Sequence, residues 1–301
     1  MSDRQEQNGS PEERGRRIAM FWSADEDNTV RCGLCPHRCR VPENAAGLCR
    51  VRENRSGSLI AAGYGQISSV ALDPIEKKPL YMFHPGKKVL SIGGFGCNLH
   101  CPFCQNYEIS SEYDDIRPGA RRLSAQDVAG LAARTVDDGN IGAAFTYNEP
   151  LIGYEFVYDC AKLIKEAGLL NVLVTNGYIN KEPLEALAPL IDAMNIDLKG
   201  YTDRMYDSLG GSLEEVKRTI AASVSFCHVE VTTLVIPGEN EEDVEELSKW
   251  LASIDPGIPL HLTRFFPRYR MVDRPATQRE TILRLRDTAQ KHLKNVFAGN
   301  M

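Results

Sequence analysis

Three cysteines stand in the run Gly96-Cys97-Asn98-Leu99-His100-Cys101-Pro102-Phe103-Cys104, a CxxxCxxC spacing that brings three thiolates together from one tight loop. A structural zinc or an ordinary ferredoxin cluster takes four cysteines. Three either borrow a distant ligand or leave one metal position open for a cofactor or substrate. Gly93, Gly94 and Gly96 allow close backbone approach in front of the loop, and Phe103 is placed to shield a metal centre from water. Upstream, Cys32, Cys35, Cys39 and Cys49 form CxxCxxxC followed by a fourth cysteine, a closed four-ligand set. Zinc in a thiolate cage and a second 4Fe-4S cluster both answer to that set. His37 is a further ligand or a polar loop residue. Cys160 and Cys227 have no partner at ligand spacing and read as core thiols.

The elements that must position these residues come next. From Lys88 onward six apolar, β-prone runs alternate with helical patterns: KVLSIGGFG, IGAAFTY, NVLVT, AMNIDL, HVEVTTLV and PLHLTRF. Strand followed by helix, repeated, predicts a parallel sheet, and right-handed crossovers curl it into a partial (β/α)6 TIM-like barrel. Ser124 with Asp127, Ser212 before its acids, and Gly168 after KLIKEA mark helix ends. Such folds place their chemistry at the carboxyl ends of the strands. There the sequence sets Cys97 to Cys104, then Tyr147-Asn148-Glu149-Pro150, Thr175-Asn176-Gly177, Asp197 with Lys199, Pro237-Gly238, and His261 with Arg264. Singly these are caps, turns and solvated pairs. Together they would line a polar cavity over the cysteine loop, with Glu149 suited to an ammonium group and Asn176 and Asp197 to hydroxyls. The chain divides into a polar arm over residues 1–17, a cysteine-rich region with accessory strands over 18–87, and the barrel over 88–301.

With 301 residues and a formal charge of -6, the chain has the composition of an ordinary globular protein and no basic excess for nucleic acid. No run reaches the ~18 apolar residues of a membrane span, and the N-terminus has no secretory or transit pattern, so a cytoplasmic location is expected. In that compartment nine cysteines stay reduced, which favours metal over disulfides.

With these motifs in place, residues 88–298 resemble the radical S-adenosylmethionine superfamily, and more narrowly enzymes like the pyruvate formate-lyase activating enzyme. CGLCPHRC with GLCRVREN, TYNEP and RFFPRYRM look like the branch called the AmmeMemoRadiSam system radical SAM protein. The resemblance implies a 4Fe-4S cluster on Cys97, Cys101 and Cys104, with S-adenosylmethionine contacted by Asn148, Glu149, Thr175, Asn176, Asp197, Lys199 and His261. It implies reductive cleavage to a 5'-deoxyadenosyl radical, fed by a one-electron reductant such as flavodoxin or ferredoxin. The radical then takes a hydrogen atom from a protein, a peptide or a small molecule. Two departures stand out: Asn148 replaces a glycine of the family's second motif, and the extra cysteines precede the cluster loop instead of following it. A non-catalytic iron-sulfur scaffold or electron-transfer protein is the reading from another class.

Overall fold

The computed structural model describes residues 17–301. The expected arm over 1–17 therefore lies outside the described residues, except for Arg17, whose guanidinium pairs with Asp159 at 3.1 Å.

One sheet of eight strands organises the chain: β1 (Ser69–Pro74), β2 (Lys88–Gly93), β3 (Asn140–Phe145), β4 (Leu170–Thr175), β5 (Ala193–Asp197), β6 (His228–Val235), β7 (Leu260–Arg264) and β8 (Val296–Gly299). Their spatial order is their chain order. β2 to β8 run parallel, and β1 pairs antiparallel with β2 from Ser69 opposite Gly93 to Pro74 opposite Lys88. The six predicted strands are thus joined by a seventh parallel strand, formed by VFAG near the C-terminus. An antiparallel edge strand is added from the segment read as accessory. β2 shows why the pattern is legible: Val89 to Gly93 are all buried, a run apolar but for Ser91 in a strand covered on both faces.

Each crossover carries a helix: α1 (Ala125–Arg134), α2 (Tyr154–Glu166), α3 (Lys181–Leu187), α4 (Leu213–Ser223), α5 (Val244–Ile254) and α6 (Arg279–Ala289). α1 opens on the expected capping box, in which Ser124 Oγ accepts the Asp127 N–H at 3.1 Å and the Asp127 carboxylate accepts the Ser124 N–H at 2.8 Å. Gly168 follows α2 with φ +72°, the left-handed turn that ends such helices. Ser212 precedes α4 without a side-chain cap bond, and Glu214 and Glu215 occupy its first turn.

Because β1 descends and β2 ascends, the loop 75–87 lies at the amino-terminal end of the barrel and forms its floor. Buried Glu230 on β6 holds it there, accepting the N–H groups of Tyr81 at 3.0 Å and Met82 at 2.7 Å. The Asn195 side chain of β5 donates to the Pro79 carbonyl at 2.8 Å. Ahead of the sheet, the cysteine-rich region is a ribbon of three short antiparallel strands and a hairpin, Arg52–Arg55 with Ser58–Ala61. Ser56 and Gly57 turn that hairpin with φ +50° and +75°, the pair of positive values of a type I′ turn. Arg52 fastens the region to the barrel through Glu155 of α2, at 2.9 and 3.0 Å, both side chains buried.

Candidate active site

The cluster loop leaves β2 at Gly93 and is pinned from several elements. Gly96 has φ +86°, and a Cβ there would stand 2.7 Å from the Cys49 carbonyl oxygen, so only glycine lets the loop pass the N-terminal region. The Asn148 side chain accepts the Gly94 N–H at 2.9 Å and donates to the Gly96 carbonyl at 3.1 Å. Asn176 donates to the Asn98 side-chain oxygen at 2.9 Å and reaches Cys97 Sγ at 3.6 Å, while the Leu99 N–H points at the same sulfur from 3.4 Å. Asn148 and Asn176, expected as cofactor contacts, therefore have their side chains engaged in holding the loop.

Cys97, Cys101 and Cys104 face one cavity of about 420 Å³, shared with Asn148, Glu149, Thr175, Asn176, Asp197 and Lys199. Glu149 is buried beside them. Its carboxylate accepts Thr175 Oγ1–H at 2.7 Å, the Asn176 N–H at 2.8 Å and the Leu151 N–H at 3.0 Å. The same residue thus caps the turn after β3 and faces the cavity. Burial pushes its carboxyl up to about 7 against those three donors, so a cation arriving beside it would meet a group ready to be charged. Lys199 donates to Asp197 at 2.9 Å; burial opposes its charge, but Asp197 and Cys101 hold the ammonium above its ordinary range.

Burial pushes Cys97 well up and Cys101 up to about 11, so these thiols need a bound cation to ionise. Among the described residues, no three His, Cys, Asp or Glu side chains close around a single ion. Three thiols spread over one cavity wall suit a cluster, which offers each of them a different iron, and a buried carboxylate with hydroxyl-binding groups alongside suits an amino-acid and ribose cofactor.

His261 does not line this cavity. Its ring lies 2% exposed below it, bonded to Glu230 at 2.6 Å and packed against Tyr81 and Phe297. Burial opposes the Glu230 charge, yet His228, His261 and the two floor N–H groups hold the carboxyl down to about 2. His261 is thus part of the floor, because it is the second residue of β7 and the site lies at the strand's other end. Arg264, nearer that end, spends its Nε–H on the Thr277 carbonyl at 2.8 Å.

Sequence reasoning missed the opposite wall, where Lys77, Lys78 and Pro79 of the floor loop enter the cavity. Lys78, 2% exposed, pairs with Asp73 at 2.9 Å and lies 4.5 Å from the Tyr147 ring centre, whose hydroxyl donates to Asp73 at 2.6 Å. Tyr147 takes φ +73°, a strained backbone turn at the end of β3. The doubled lysine carried no signal, because its loop is placed only when β1 joins the main sheet.

Among the described residues, no helix is long and apolar enough to cross a membrane. The family model of the Radical SAM superfamily matches residues 91–251. The chain is 40% identical, over 95% of its length and 85% of the relative's, to "Uncharacterized protein MJ0808" of Methanocaldococcus jannaschii. It is 26% identical to the pyruvate formate-lyase-activating enzyme of Clostridium pasteurianum, over 53% of this chain and 69% of that one. Among solved structures, Streptococcus suis SuiB bound to precursor peptide SuiA matches with a TM-score of 0.52 at 15% identity, over 68% of this chain and 47% of that one, a likeness of fold. A CxxxCxxC loop on the first parallel strand, strand ends gathered over it and a family match that spans both lead to one assignment: the chain belongs to the Radical SAM superfamily, whose chemistry runs on a 4Fe-4S cluster and S-adenosylmethionine.

Proposed function

We propose that this enzyme uses a 5'-deoxyadenosyl radical to take a hydrogen atom from a substrate bound between the cluster loop and the barrel floor. The observation that supports this best is one cavity lined at one end by Cys97, Cys101 and Cys104 and at the other by Lys77 and Lys78. When bound, the cluster supplies the electron that cleaves the cofactor's sulfonium. The chain's own work is positioning. Glu149 receives the cofactor's ammonium group, Asp197 accepts from ribose hydroxyls, and Thr175 and Asn176 hold Glu149 in place. Lys199 stays charged beside Cys101 and Asp197, balancing the negative charge gathered there.

The substrate we favour is a protein or peptide segment, as the name of the Clostridium pasteurianum relative and the peptide-bound SuiB structure suggest by analogy. A small anionic molecule is the second reading, favoured by the buried Lys78 ammonium in the cavity's lining. A flavodoxin- or ferredoxin-like carrier in the cytoplasm serves as the electron source in either case. The four N-terminal cysteines hold zinc or an auxiliary cluster.

The test is anaerobic reconstitution with iron and sulfide, followed by a dithionite assay for 5'-deoxyadenosine with wild type and Cys97→Ala. Wild type forms it and the variant does not. A folded, iron-loaded, reduced wild type that leaves S-adenosylmethionine intact would return the chain to the scaffold or electron-transfer reading.

A further inference from the structure

Asn176 follows β4 and is 5% exposed. Its backbone N–H donates to Glu149 at 2.8 Å, and its side-chain oxygen accepts the Tyr178 N–H at 2.9 Å. Its amide nitrogen donates to the Asn98 side-chain oxygen at 2.9 Å and lies 3.6 Å from Cys97 Sγ. The end of this amide that faces the sulfur is set by backbone groups that have no choice. A backbone N–H only donates and a carbonyl only accepts. The Tyr178 N–H therefore takes the Asn176 oxygen, in a side-chain turn helped by Gly177 at φ +69°. The Tyr178 carbonyl in turn takes the amide nitrogen of Asn98, at 2.8 Å. Asn98 is left with its oxygen toward Asn176, so the two side chains agree. One Asn176 N–H goes to Asn98, and the second is free for Cys97.

The sulfur it faces stands beside another group of negative charge. Burial, and after it the Glu149 carboxylate, push the Cys97 thiol well up. A Cys97 thiolate and a charged Glu149 would therefore oppose each other in a site shielded from water. Asn176 donates to both, by its side chain to the sulfur and by its backbone to the carboxylate. Hydrogen bonds to charged acceptors are the strong ones, and those to cysteine sulfurs help set the reduction potential of an iron-sulfur centre. Reduction adds negative charge that the sulfurs share, so a donor at Cys97 favours the reduced state. The Leu99 N–H, 3.4 Å from the same sulfur, belongs to the loop backbone and stays whatever side chain is present. The Asn176 donor is the one that a substitution removes.

We infer that Asn176 is a positioning residue for the cluster: its amide donates to the Cys97 sulfur, raises the reduction potential there and lets Cys97 and Glu149 carry charge side by side. The inference rests on Cys97, Cys101 and Cys104 as the cluster's ligands.

The test compares wild type, Asn176→Leu and Asn98→Ala, reconstituted anaerobically with iron and sulfide and without S-adenosylmethionine. The potential is read by redox titration of the paramagnetic signal that Cys97→Ala lacks. Asn176→Leu should disfavour reduction about tenfold, which for one electron is about 59 mV more negative. Asn98→Ala loosens the same loop but keeps the Asn176 donor, and should leave the potential in place. An unchanged potential in folded, iron-loaded Asn176→Leu would overturn the inference. So would an equal fall in both variants, which would assign the effect to a loosened loop. If Asn176→Leu does not fold or load iron, wild type decides. Grown with asparagine carrying ¹⁵N in its side-chain amide, it should show that nitrogen coupled to the reduced cluster in pulsed electron paramagnetic resonance; absence of the coupling would overturn the inference. A wild type that leaves S-adenosylmethionine intact while Asn176→Leu lowers the potential would sink the proposed reaction and keep the role of Asn176.

Discussion

Removing the Asp73 carboxylate gives the sharpest energetic test of how the cavity's far wall is held. Asp73 accepts from Lys78 at 2.9 Å, from Lys77 at 3.2 Å and from the Tyr147 hydroxyl at 2.6 Å. Lys78 is 2% exposed, whereas the Lys77 side chain is 67% exposed. In Asp73→Ala the Lys78 ammonium keeps only the Tyr147 ring, and an uncompensated buried charge costs about 3–5 kcal/mol. Lys78→Met removes the buried charge itself and leaves Asp73 with Lys77 and Tyr147, so its expected cost is about 1 kcal/mol. The double variant has no stranded ammonium and should resemble the milder single one. The two substitutions are then coupled by about 3–5 kcal/mol, read by anaerobic urea unfolding of all four proteins followed by circular dichroism. Additive effects, within about 0.5 kcal/mol, would show that water or another group already satisfies Lys78 and would refute the reasoning.

Three further outcomes follow from the same contacts. Glu149→Ala should weaken S-adenosylmethionine binding by about 10–100-fold, measured by equilibrium dialysis on the iron-loaded protein, because it removes the buried partner of an ammonium group; unchanged affinity would move the ammonium elsewhere. Glu230→Ala should destabilise the fold by about 3 kcal/mol in the same urea assay, since it unpairs the Tyr81 and Met82 N–H groups and His261 in the barrel floor. Ser124→Ala should cost about 1 kcal/mol through the lost cap of α1 and leave 5'-deoxyadenosine formation per iron unchanged, a control for stability effects far from the cavity.

What could be read from the sequence was whatever is encoded locally. The six strands β2 to β7 announce themselves as short apolar runs between turn residues, and the polar residues at their ends follow from the rule that parallel barrels expose those ends. Thiol spacing alone singled out Cys97, Cys101 and Cys104, because metal chemistry depends on how many ligands one loop can supply. The likeness to the radical S-adenosylmethionine superfamily was visible in the same residues.

The tertiary structure decided the rest, because pairing partners and depth are not written in local pattern. Ser69–Pro74 looks like any short strand, and only its antiparallel pairing with β2 turns the following loop into the barrel floor and brings Lys78 to the cavity. His261 and Asp197 are both polar residues on parallel strands of the same sheet, β7 and β5, with β6 between them. Asp197 ends β5 and faces the cavity, whereas His261 enters β7 near its start and is bound by Glu230 from another strand. Asn148 and Asn176 look like ligand-binding amides in sequence, yet the fold spends their hydrogen bonds on the glycine loop and Asn98. Arg52 lies 103 positions from Glu155, and no local pattern announces a guanidinium whose remaining N–H is left beside four cysteines. Long-range burial creates that unsatisfied donor, so it becomes visible only once the chain has folded.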